Sequence, residues 1–399
     1  MWGPPFPGPG RGFPPPRGFP PPGFMPPDFM PPDFHPGPPP PQLARDEASN
    51  IGRYFNRNRE HFEFMGYLNN GFTGVSCRIR LKSNRERRRA QDFVVKRPIQ
   101  QSDAVDRRLK DELRILRKFR GARHILQLFY IPTGIRNPID DAPGRTIMTE
   151  WIENGTLADF VDRNRRRQLP NRILIELFKC PPPYIDEWPI QVVQFCVAMA
   201  WPPRGERGEP HREEMIPFDL RKRQKKEQIV HNDMHCSNIM VGSLNPEGGG
   251  HSLVPIIKLI DFDRVSTVQC PPGADTGVAQ NIRDVGAVMR TIITGDLAMM
   301  LPPPQRVSVR VGGSRRTFST RGADVTTTKY RNLDEELAGL VQWCLASSSD
   351  RPSIERLHAA AKSLGDKATP SRYSRYPKGK FETDSEIRRI IQSLILDAP

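Results

Sequence analysis

Nineteen of the chain's 43 prolines fall in residues 1–41, where the sequence runs through GFPPPRGFPPPGFMPPDFMPPDF as a drifting short repeat. Proline has no amide hydrogen to donate, and its ring is not tolerated inside a helix, so this stretch can build neither helix nor sheet. Any core must come from the rest of the 399 residues, enough for one large domain or two to three ordinary ones. Residues 1–42 read as a disordered proline-rich tail, and the polar residues 43–62 as a connecting arm. The tail holds no Arg-x-x-Pro-x-x-Pro, Pro-x-x-Pro-x-Arg or Pro-Pro-x-Tyr. A spacer is therefore favoured over adaptor binding by an SH3 or WW domain, although that partner stays open.

No 18-residue apolar run occurs, so no membrane span is expected, and the proline-rich start does not read as a signal peptide. Cys77, Cys180, Cys196, Cys236, Cys270 and Cys344 are scattered without a Cys-x-x-Cys pair. That usage suits reduced thiols and a cytoplasmic protein better than a disulfide frame or structural zinc. The basic run RKRQKK at 221–226 adds nuclear entry as a second expectation. Of the net charge of +15, residues 43–150 carry +10, concentrated in 78–91 and 107–123. A solvated face is the favoured reading of that excess, with an acidic partner as the alternative. No zinc-finger spacing or aromatic RNA-binding signature accompanies it.

Hydrophobic periodicity divides the remainder. FMGYLNNGFTGVSCRIRL from Phe64, DFVVK at 92–96, HILQLFYI at 124–131 and RTIMTEWI at 145–152 read as strands. Between them, Val105, Leu109, Leu113 and Leu116 predict a helix over 104–119. From Thr156 onward helices dominate, including a buried one within 187–201 and amphipathic ones at 333–346 and 353–364. Residues 203–228 and 303–331 read as basic surface insertions, and 385–398 as an amphipathic helix outside the main domain.

One constellation carries chemistry. HNDMHCSNIM at 231–240 places Asn238 five residues after Asp233, and LIDFD at 259–263 ends an apolar strand on Asp261. Oxygen donors on a loop beside a second carboxylate at a strand end suit Mg-nucleotide chemistry: one orients an attacking hydroxyl while the others hold magnesium. Alone, each group has a plainer reading. Lys96 would be an edge-strand lysine, Glu112 a solvated helix charge, Asn238 and Asp261 turn formers, and His231 a packed structural histidine.

In order, these segments resemble the protein kinase family. His231-Asn232-Asp233 through Asn238 is similar to the catalytic loop HRDLxxxxN, and Asp261-Phe262-Asp263 to the DFG motif. Phe93-Val94-Val95-Lys96 resembles VAIK, and Glu112 with Ile115-Leu116 resembles the helix glutamate motif. Met148 to Leu157 is similar to the hinge, Gly286 and Gly295 to the core helix, and Asp350-Arg351-Pro352 to the domain ending. The resemblance spans roughly residues 64–365.

It implies an α+β, two-lobed fold over 63–366, a β-rich lobe at 63–152 followed by a helical lobe at 153–366, with 367–399 as a C-terminal tail. It also implies ATP and Mg2+ as cofactors and phosphoryl transfer to serine or threonine of a protein substrate. Asp233, Lys96 and Glu112 would be catalytic. Asn69, Gly71, Gly74, Lys96, Glu150 and Ile152 would bind the nucleotide, and Asn238 and Asp261 the metal.

Departures keep two alternatives open. His235 in Asp-x-His-x-x-Asn resembles small-molecule kinases of the aminoglycoside and choline kinase type. Asn232, Asp263 and a glycine loop reduced to Asn69, Gly71 and Gly74 suit a pseudokinase scaffold. Only 20 residues separate Asp261 from Asn281, with no Ala-Pro-Glu between them. With Asn232 in place of the usual arginine, activity is expected not to depend on phosphorylation of this segment.

Overall fold

The computed structural model describes residues 41–70, 74–83, 89–100, 102–140, 142, 144–164, 168–178, 191–207, 214, 216–217, 225–244, 251–271, 273–298 and 300–397. The proline-rich tail through residue 40, Gly71 and residues 221–224 of the basic run lie outside them.

The segment read as a connecting arm is mostly a helix, α1 (Pro41–Asn56). Ala44, Ala48, Ile51 and Phe55 recur at helical spacing and are all buried. Their stripe packs on an antiparallel sheet in the order β1 (Phe62–Asn70), β2 (Val75–Leu81), β3 (Gln91–Arg97) and β4 (Ile147–Glu150). Alternation sets the two faces. Cys77, Ile79, Phe93, Val95 and Arg97 are buried, while Ser76, Val94 and Lys96 point the opposite way. Phe55 meets Phe62 and Phe93 edge to face at 5.2 and 5.9 Å, and Glu47 pairs with Arg97 at 2.9 Å.

Helix α2 (Asp103–Lys118) starts behind Ser102, whose hydroxyl accepts the Val105 amide hydrogen. It buries Leu109, Glu112, Ile115 and Leu116. The expected strand at 124–131 is extended chain held by single bridges, Ile125 to Leu259 and Leu128 to Thr149.

A second, larger core gathers α3 (Leu157–Asn164), α4 (Asn171–Phe178), α5 (Gln191–Ala200), α6 (Thr276–Thr294), α7 (Glu335–Cys344) and α8 (Ile354–Asp366). Every residue of α5 is buried, so an apolar run without a polar face reads correctly as an interior helix. Gly286 lets α6 approach α7, because a Cβ there would lie 2.7 Å from that of Cys344. Short pairs join β5 (Ile229–Val230) to β8 (Ser266–Thr267) and β6 (Ile239–Val241) to β7 (Ile257–Leu259). The class is α+β, and no helix among the described residues is long and apolar enough to cross a membrane.

Three expectations of peripheral placement are corrected. Within 203–228, Glu214 is buried, accepting the His124 amide hydrogen at 2.8 Å and meeting its Nδ1 at 2.7 Å. Within 303–331, β9 (Gln305–Val311) and β10 (Ser314–Thr320) form a ribbon that inserts Val311 and Phe318 into the core. Beyond α9 (Pro370–Tyr373), α10 (Asp384–Ile391) and the residues after it bury Ile387, Ile391, Leu394 and Ile395 in the same core. Charge density misled in the first two places, where paired or outward-facing charges flank a few residues that are buried; the third lies beyond the stretch that carries the resemblance.

Candidate active site

The sheet face away from α1, helix α2 and the loops following β5 and β7 enclose a cleft of about 370 Å³. Lys96 projects into it from β3 because the alternation that buries Val95 and Arg97 turns it the other way. Its Nζ lies 3.0 and 3.1 Å from the Glu112 carboxylate oxygens and 3.2 Å from Asp261 Oδ1. The predicted Lys96–Glu112 pair is therefore formed, and it also holds Asp261. Burial acts to lower the Lys96 pKa, but the Glu112, Asp261 and Asp263 carboxylates outweigh it and the net shift is upward. The ammonium stays charged at any physiological pH. Burial and the charge of Asp261 raise Asp263 to about 6.

Asp233 lies in a cavity that adjoins the cleft. The Asn238 side-chain amide donates to its carbonyl oxygen at 2.9 Å and to Oδ2 at 3.2 Å. His235 Nε2 lies 3.5 Å from Oδ1, and Arg264 Nε 3.8 Å from Oδ2. His235 foremost, with Arg264 assisting, holds Asp233 below the usual carboxylate range, so it is an anion ready to accept a hydrogen bond. Asn232 and Asp261, both in the motifs, adopt positive φ of 64° and 61°. Non-glycine residues held there are strained, and such strain concentrates where backbone geometry serves a site.

Asn69, Gly74, Lys96, Glu112, Glu150, Ile152, Asn238 and Asp261 line the one cleft. Asp233 lines an adjoining cavity of about 430 Å³ that shares Ser237 with the first. Two of these residues also have duties within the fold. Glu150 presents its carboxylate to Lys258 at 2.6 and 2.8 Å, and its amide donates to the Gln127 carbonyl, so it braces the cleft wall from within the fold. Gly74 is required by the strands themselves, since a Cβ there would lie 1.9 Å from the Arg97 carbonyl oxygen.

Sequence reasoning missed Lys258 and the apolar walls Leu126, Ile147 and Met240. A lysine inside the apolar run IIKLI is a legible signal of a buried pair. Arg264, whose place in the segment after Asp261 made it the candidate stand-in for the arginine that Asn232 replaces, lies with Nε 3.8 Å from Asp233 Oδ2.

Could these residues hold magnesium and a nucleotide? No group of three or more His, Cys, Asp or Glu side chains converges among the described residues. Asp261 and the amide oxygen of Asn238 are hard donors in a small number. That suits a cation completed by phosphate oxygens and water rather than a closed protein cage. The single ammonium of Lys96 beside them suits phosphate.

The segment after Asp261 is ordered by neutral bonds. Asn232 Nδ2 donates to the Arg264 carbonyl at 2.9 Å and to Ser266 Oγ at 2.8 Å, and Gln280 donates to Asn232 Oδ1 at 3.1 Å. Replacing Ser266, Thr267 and Thr276 together with Ala is expected to leave turnover within a few-fold of the unmodified protein. A loss of tenfold or more at unchanged nucleotide affinity would identify a phosphorylation switch.

His231 is fully buried, with Nε2–H donating to the Ile260 carbonyl at 3.0 Å and Nδ1 without a partner. Burial pushes its pKa down to about 4. The unfolded imidazole titrates near 6.5, so between these values the unfolded chain binds the extra proton and stability falls as pH drops. From pH 7 to pH 5 this group is expected to remove about 2 kcal/mol of stability. Urea unfolding of the protein beside His231→Gln at both pH values checks it; equal losses in the two would contradict it.

Compared with known proteins, the chain matches no family model, and no curated protein matches it significantly.

Proposed function

We propose that this chain is a divergent kinase-like phosphotransferase, its sheet with α1 and α2 forming a small lobe and its helical core a large one, which transfers a phosphoryl group from ATP to serine or threonine of a protein. The observation that carries the reading is Lys96 between Glu112 and Asp261, with Asn238 and Asp233 alongside. These five side chains come from distant parts of the sequence: two carboxylates hold Lys96 in the cleft, and the Asn238–Asp233 pair joins that cleft to the adjoining cavity.

Bound Mg-ATP would supply the transferable phosphoryl group with part of its charge screened. Lys96, fixed by Glu112, presents a permanent cation to phosphate oxygens. Asp261 and Asn238 offer the oxygens for the metal, and Ile152 at the cleft edge offers apolar contact to the base. Asp233 accepts a hydrogen bond from the acceptor hydroxyl and aligns it, while Asn238 holds that carboxylate still. Most of the acceleration expected from such a site is positioning and charge stabilisation.

His235 beside Asp233 supports a second reading, transfer to a small-molecule hydroxyl, because Asp-x-His-x-x-Asn resembles that class of kinases. The experiment is transfer of labelled phosphate from Mg-ATP to generic acceptor proteins and, separately, to amino alcohols and aminoglycosides. Label on protein supports the first reading and label on small molecules the second. Label on neither, with nucleotide still bound, overturns both and leaves a scaffold.

A further inference from the structure

The ribbon β9–β10 has one face that the fold does not use. Its register sets Arg310 opposite Arg315, Ser308 opposite Thr317 and Arg306 opposite Ser319. Alternation places these six side chains on a common outer face. Val307, Val309, Val311 and Phe318 take the inner face and pack into the core. The ribbon is firmly seated: a Cβ on Gly339 of α7 would lie 2.4 Å from the Arg310 carbonyl oxygen. Gly312 and Gly313 close it at φ of 58° and 78°, both positive as a type I′ hairpin turn needs.

Residues 303–322 hold five arginines and no acidic residue. Arg306, Arg310 and Arg315 are exposed and have no acidic partner among the described residues. Like charges set directly opposite one another weaken a strand pair, so Arg310 and Arg315 work against the ribbon that carries them unless an anion lies between them.

We propose that this face binds the phosphate backbone of duplex nucleic acid without reading its sequence. The row on β9 alternates guanidinium, hydroxyl and guanidinium, and the row on β10 runs guanidinium, hydroxyl and hydroxyl, each step two residues or about 6.8 Å, comparable with the spacing of successive phosphates along a strand. Arginine forks and serine or threonine hydroxyls are the groups that contact phosphate oxygens. A two-stranded ribbon fits the width of a major groove. The outer face has no aromatic ring on which an unpaired base could stack, which favours duplex over single strand. The proposal is independent of phosphoryl transfer in the cleft.

The test is fluorescence anisotropy of the full chain with a labelled random duplex DNA of about 20 base pairs, across about 50 to 200 mM salt. The triple variant R306A/R310A/R315A is expected to bind at least tenfold more weakly at the lowest salt. Its log–log salt slope should fall by about 2.7, roughly 0.9 for each phosphate left without its arginine. R306K/R310K/R315K, which keeps the charge, should retain most of the slope. Should the alanine triple fail to fold, Arg310→Glu carries the same test, with a slope lower by at least about 0.9. An unchanged slope in the alanine variants would overturn the proposal. So would tighter binding to a single strand of equal length, or binding to anionic vesicles or phosphopeptides with none to duplex.

Discussion

Asp233→Asn is expected to reduce phosphoryl transfer by about 10²- to 10⁴-fold, the range seen when a positioned general base is removed, while nucleotide affinity stays within about twofold. The change keeps the size of the side chain and the Asn238 contact to the residue 233 carbonyl, which is 2.9 Å in the parent. It removes the anion that His235 and Arg264 hold in the charged form. Asp233 faces the adjoining cavity rather than the nucleotide cleft, so binding and transfer should separate in this variant. Transfer measured with labelled ATP, beside nucleotide titration of the same sample, checks both halves. Equal loss of binding and transfer would instead give Asp233 a structural role.

The second large effect lies far from the cleft. Glu382 is fully buried: Oε1 accepts the Asn171 amide hydrogen at 2.7 Å and Oε2 that of Arg172 at 3.0 Å. Its own carbonyl accepts from Arg172 Nη1 at 2.7 Å. The carboxylate thus caps the first turn of α4, where helix amide hydrogens lack partners and the helix dipole favours an anion. Glu382→Ala strands those donors in the core and is expected to lower stability by about 2–6 kcal/mol, about 1–3 for each of the two backbone donors left without a partner. Urea denaturation measures it. A change under about 1 kcal/mol would mean that solvent or another group replaces the carboxylate.

Some of this was readable in the sequence, and the reason differs by element. Strand β2 and helix α2 declare themselves because their buried residues recur at periods of two and of three to four. The Lys96–Glu112 contact was expected from spacing and resemblance, and the distances agree with it. Helix α1 was hidden because only Ala44, Ala48, Ile51 and Phe55 carry its apolar stripe, and two of these are small. Glu382 gave no signal at all. A lone glutamate reads as solvated until tertiary contacts bring Asn171 and Arg172, more than two hundred positions away in sequence, against it. Glu150 lines the cleft as its place in the sequence suggested, but the pairing of its carboxylate with Lys258 was hidden, because no local pattern links the two.

The central claim, that the cleft around Lys96 is a Mg-nucleotide site, is tested most directly by the melting temperature with and without Mg-ATP. A ligand that binds only the native state at about 100 times its Kd stabilises it by about 2.7 kcal/mol, enough to raise the melting temperature by several degrees. The account predicts that rise for the unmodified protein and a much smaller one for Lys96→Met, each variant compared with its own nucleotide-free melt. No shift at millimolar Mg-ATP in a correctly folded sample, or equal shifts in both proteins, would contradict it.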